Sequence, residues 1–66
     1  MKYQVGDLLQ RTKPFPEEVD QLWIVVSIEE ENEIRPITFI SIMNCKNQYI
    51  SKFIYHVVKD SFKKVE

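Results

Sequence analysis

Sixty-six residues with a net charge of −1 make one small domain spanning 1–66, too short for a multidomain enzyme. Its 44% apolar and 29% charged residues fit a globular chain and exclude a disordered one. The longest apolar run, Leu22 to Val26, falls far short of the roughly 20 residues that span a bilayer as a helix. Lys2 and Asp7 interrupt the N-terminus before any stretch of signal-peptide length, so a cytoplasmic protein is expected, made in a host cytoplasm or carried in a virion if viral. Cys45 has no second cysteine to pair with, and with His56 it cannot complete a zinc set; neither metal nor cofactor is expected. A single core below about 70–80 residues rarely supplies more than about 3–5 kcal/mol, so oligomerisation or docking on a larger assembly is a natural supplement.

Charge is unevenly spread: residues 1–16 carry +2, residues 17–33 carry −7 and residues 34–66 carry +4. If the fold keeps these segments apart, the molecule has an acidic end and a basic flank. The plainer reading is that glutamates keep a small apolar domain soluble.

There is no alanine, and Ile and Val together number fifteen, a composition that suits pleated strands better than helices. The pattern predicts five. The first runs from Val5 to Thr12, with Gly6 allowing a close turn into it and Asp7 placed to accept from local amides. Lys13 to Asp20, with Pro14 and Pro16, reads as a loop. Gln21 to Glu29 alternates, and Leu22, Ile24, Val26 and Ile28 form its predicted core face. Glu30 to Glu33 is a tight connection with Asn32 at a left-handed position, and the third strand runs from Ile34 to Met43 with both faces largely apolar. Asn44 to Asn47 turns the chain into a fourth strand from Gln48 to Tyr55 or His56. His56 to Asp60 is short enough to be a single 3₁₀ turn, and Ser61 to Val65 closes the fold as a fifth strand.

Five short antiparallel strands in one small chain are most economically closed as a barrel, which makes the fold class all-β. A long loop, two hairpins and a single turn before the last strand match an SH3-like barrel. Val5-Gly6-Asp7-Leu8-Leu9, the strand containing Trp23-Ile24-Val25-Val26, and the closing Phe62-Lys63-Lys64-Val65-Glu66 resemble the small SH3-like barrel proteins of tailed bacteriophages. The resemblance implies a five-stranded antiparallel SH3-like barrel and a phage accessory or virion protein. The Ala-Leu-Tyr-Asp-Tyr segment and paired tryptophan of the proline-binding signalling domains are absent here, so proline-peptide binding is not implied.

No catalytic residues are assigned. Cys45 and His56 sit at opposite ends of the fourth predicted strand, roughly 30 Å apart along eleven extended residues. The acidic cluster lies on a surface hairpin with no cleft to separate its pKa values. A calcium loop would need a glycine at its bend, which the cluster lacks. The leading expectation is a non-enzymatic module that binds a larger protein. If the first loop and the next hairpin lie side by side, Glu17, Glu18 and Asp20 join Glu30, Glu31 and Glu33 in an acidic rim. Phe15 and Trp23 would flank it, suiting a partner segment with Arg or Lys beside an apolar anchor. Alternatively Trp23 caps the barrel end and Phe15 pins its own loop. An open edge along the last strand could take a partner strand or form a homo-oligomer. The competing expectation is a nucleic-acid-binding barrel acting in transcription or translation, using Lys46, Tyr49, Lys52, Lys59, Lys63 and Lys64. The net negative charge weighs against it.

Overall fold

A computed structural model describes residues 3–32 and 36–65. Five antiparallel strands form one sheet: β1 (Leu8–Arg11), β2 (Trp23–Asn32), β3 (Pro36–Asn44), β4 (Ile50–Ile54) and β5 (Phe62–Lys64). A helix, α1 (Tyr55–Ser61), precedes β5, and a 3₁₀ turn at Pro16–Glu18 lies in the first loop. The strand order is β4-β3-β2-β1-β5. Among the described residues no helix is long and apolar enough to cross a membrane.

The chain enters β1 through a tight turn. Gly6 takes φ +97°, a left-handed value that a side chain would strain, and Asp7 Oδ2 accepts from Gln4 N at 2.8 Å. The β3–β4 turn is built by Asn44, whose buried Oδ1 accepts from the amides of Lys46 at 2.8 Å and Asn47 at 3.2 Å.

The sheet does not close. Strands β4 and β5 are its two edges, and no ladder joins them among the described residues. It is nevertheless strongly bent, because Phe53 of β4 and Phe62 of β5 meet across the inner face with ring centroids 6.4 Å apart. The expected closed barrel is thereby corrected to a curled open sheet. The single 3₁₀ turn expected before the last strand is instead a seven-residue α-helix. Such a helix would be marginal alone. Here fully buried Val58 anchors it in the core, and Phe62 N–H bonds to Val58 O at its C-terminal end.

The core comprises Tyr3, Leu9, Trp23, Val25, Ile40, Ile42, Val58 and Phe62, with Ile28, Phe53 and Tyr55 packed against it. This corrects the predicted core face of the second strand. Trp23 and Val25 are buried, and Ile24 lies on the opposite face. A β-bulge between Val25 and Ser27 then absorbs Val26 as an extra residue and returns Ile28 to the core side, opposite Ile40. The predicted tight connection is also corrected, since Glu30 and Glu31 continue β2, paired with Thr38 and Ile37, and Asn32 pairs with Pro36. This two-stranded extension reaches beyond the end of β4 and lengthens the molecule to 40 × 20 × 20 Å. The predicted Ile34 start of the third strand lies outside the described residues.

Candidate functional site

The first loop is held firmly at its base and along its length. Thr12 N donates to Ser61 O at 3.0 Å, tying the loop's start to the end of α1. Pro16 opens the 3₁₀ turn with its φ already set. Glu18 folds back so that its Oε1 accepts from Phe15 N at 3.2 Å, while Glu18 N donates to Phe15 O at 2.8 Å. Two glutamines brace the far side: Gln10 Nε2 donates to Val19 O at 3.3 Å and Gln21 Nε2 to Glu17 O at 3.2 Å.

Arg11 sits beneath this loop. Its guanidinium lies 5.6 Å from the Trp23 ring centroid and 5.1 Å from that of Phe62, and its Nε is 3.2 Å from Glu18 Oε2. That approach is an ion pair by distance but is not aligned as a hydrogen bond at Nε. Trp23 itself is buried, edge-on to Phe62 with centroids 5.2 Å apart. It belongs to the core and not to an exposed rim.

The pinned loop projects two apolar side chains: Phe15 is 63% exposed and Val19 50%. Among the described residues, the Glu17 and Asp20 side chains between and beside them make no ion pair. An open cleft of about 460 Å³ follows, bounded by Glu17, Asp20, Gln21, Leu22, Cys45 and Lys46. Its base is fixed by Cys45 N donating to Leu22 O at 2.9 Å and Asn44 Nδ2 donating to Gln21 Oε1 at 2.8 Å.

The expected acidic rim is therefore split. Successive connections of an antiparallel meander fall at alternate ends of the sheet. The first loop consequently shares its end with the β3–β4 turn, not with the β2–β3 hairpin. Glu30 and Glu31 stand at the other end of β2, roughly 20–23 Å from Trp23 at about 3.3 Å per residue once the bulged residue is discounted. Glu33 lies outside the described residues. Of the residues singled out in the sequence, the structure brings together Phe15, Glu17, Glu18 and Asp20. Val19, Leu22 and the Asn44–Gln21 brace were not singled out, although Val19 is a lone apolar residue between Glu18 and Asp20.

The lysines do not converge on one stripe. Lys46 and Tyr49 flank the β3–β4 turn, and Lys52 on β4 lies 2.9 Å from Glu29 Oε2 with its Nζ 4.9 Å from the Phe39 ring centroid. Lys59 is on α1, while Lys63 and Lys64 are on β5 at the opposite sheet edge, with Lys64 Nζ 3.2 Å from Asp7 Oδ2. Cys45, exposed in the β3–β4 turn, and His56, in the first turn of α1, lie at opposite ends of β4. Among the described residues no group of three or more His, Cys, Asp or Glu side chains is placed to hold a metal ion. No family model, curated protein or solved structure matches the chain.

Proposed function

We propose that this chain is a non-enzymatic protein–protein interaction module of SH3-like architecture, a small phage-type accessory or virion component that docks on a larger protein. The SH3-like reading draws support from the strand order β4-β3-β2-β1-β5, with its long first loop and a helical element before the last strand. The docking reading rests on one observation: Phe15 and Val19 are held out to solvent by a loop whose backbone is braced at both ends. A rigid loop gives up little conformational entropy on binding, so apolar side chains displayed on it are effective anchors.

Glu17 and Asp20 set the partner's chemistry. They favour a basic segment, with Arg or Lys beside an apolar residue that seats against Phe15, Val19 and the Leu22 cleft. The dispersal of the lysines, two of them already engaged by Glu29 and Asp7, favours a protein partner over nucleic acid.

The test is capture of a stoichiometric partner from a lysate of the cells that express the chain, with and without nuclease. Phe15→Ala with Glu17→Lys and Asp20→Lys is expected to weaken the capture at least about tenfold, as loss of a hot spot does. Capture unaffected by these substitutions overturns the assignment of the loop. Capture that disappears with nuclease and falls steeply with salt makes the lysine-bearing surface the working one.

A further inference from the structure

We infer, resting on the docking of the first loop proposed above, that the cleft beside the loop takes an extended peptide segment carrying both charges, with Arg or Lys on one side of an apolar residue and Asp or Glu on the other. The two walls of the cleft are opposite in sign. Glu17 and Asp20 stand on the wall formed by the first loop, and Lys46 stands on the wall formed by the β3–β4 turn. Between the walls lie Leu22 and Cys45. Among the described residues none of the three charged side chains makes an ion pair, so the opposed charges stay apart across the opening.

One chain of hydrogen bonds sets the spacing of the two walls. On the acidic side Gln21 Nε2 donates to Glu17 O at 3.2 Å. Asn44 Nδ2 donates to Gln21 Oε1 at 2.8 Å, and on the basic side Asn44 Oδ1 accepts from Lys46 N at 2.8 Å. Asn44 is buried, and Cys45 N donating to Leu22 O at 2.9 Å closes the base of the opening. The charges are thus carried on a preformed frame, and a segment that bridges them needs no rearrangement of the backbone. The cleft volume of about 460 Å³ lies within the range of ligand-binding clefts. Phe15 and Val19 extend the apolar surface along the same loop, which an extended chain can follow and a compact small molecule cannot. A wholly basic segment meets Lys46 as a like charge, whereas an acidic residue at that position makes the contact favourable. A segment with both charges therefore lies one way round in the cleft, because the reverse placement sets like charges against both walls.

The test is a ribosome-displayed library of random peptides of about ten residues, selected on the full wild-type chain after removal of those that bind the Phe15→Ala, Glu17→Lys, Asp20→Lys triple variant. The selected peptides are expected to carry Arg or Lys and Asp or Glu on opposite sides of an apolar residue. Lys46→Glu is expected to weaken binding of the best peptide at least about threefold, whereas a segment that is basic alone binds this variant more tightly than the wild type. Changing the peptide's acidic residue to lysine is expected to recover most of the loss on Lys46→Glu, the coupling that marks a direct charge pair. The Lys46 side chain is exposed and the turn is built through its backbone amide, so the substitution spares the fold, which circular dichroism checks. Peptides enriched in Arg or Lys with no acidic position, or binding that Lys46→Glu leaves unchanged or strengthens, overturn the two-charge segment and leave the docking loop standing. Failure to select any peptide that distinguishes the wild type from the triple variant overturns both.

Discussion

Arg11 links three parts of the molecule through one side chain. Its guanidinium lies near the Trp23 and Phe62 rings while its Nε faces Glu18, so the aromatic core and the first loop share a cation. Lysine keeps the charge but loses the flat, weakly hydrated group that stacks. Arg11→Lys is therefore expected to cost about 1 kcal/mol in urea unfolding, the scale of a partly desolvated cation–π contact. Gln48 shows the opposite case, a residue whose backbone is less comfortable than it could be. It takes φ 63° in the β3–β4 turn, a left-handed conformation that costs an ordinary residue about 1–2 kcal/mol and glycine almost nothing. Because glycine also gains freedom in the unfolded chain, Gln48→Gly is expected to raise stability by only about 0.5–1 kcal/mol, read as a higher unfolding midpoint.

Among the elements, α1 is held by one fully buried side chain, Val58, with Tyr55 packed against the core beside it. Val58 is fully buried in the core, whereas the residue preceding the helix, Ile54, is extended and gives no side-chain cap. Val58→Ala is expected to cost about 2 kcal/mol in denaturant unfolding, since it opens a cavity at the helix's only buried position. This helix was not legible in the sequence because Tyr55 and His56 continue the alternation of β4, and burial of Val58 overrides that local preference. The five strands, the Gly6–Asp7 turn and the Asn44 turn were legible, because each depends on residues within a few positions of one another. The phase of β2 was not. Its apolar residues are contiguous from Leu22 to Val26, so alternation alone could not say which set faces inward, and the bulge at Val26 leaves no mark in composition. The same limit applies to the candidate site. Phe15, Glu17, Glu18 and Asp20 could be found because they share one loop, but their separation from Glu30 and Glu31 follows from which end of the meander each connection occupies.

At the scale of the whole molecule, the segment before β1 packs Tyr3 into the core, pairs Asp7 with Lys64 of β5, and carries the two perturbed ionisable groups among the described residues. Asp7 is held below the usual carboxylate range, first by the Gln4 amide and then by Lys64 of β5, which outweigh its partial desolvation. Tyr3 is pushed above the usual phenol range by burial and, secondarily, by the neighbouring Tyr55 ring 5.8 Å away. The signs follow from linkage. A lowered carboxyl stabilises the fold at pH values above its unfolded pKa of about 3.9, and that contribution disappears as pH falls through its folded value. A raised phenol contributes fully below about pH 10 and loses its contribution as pH rises towards its folded value. The difference in urea midpoint between wild type and Asp7→Asn is thus expected to be constant at neutral pH and to shrink progressively below about pH 4. The difference between wild type and Tyr3→Phe is expected to hold to about pH 10 and then move against the wild type. An Asp7→Asn difference independent of pH would mean that Lys64 and the Gln4 amide hold the neutral side chain as well as the carboxylate. The link between the two ends of the chain would then be one of packing and neutral hydrogen bonds rather than charge.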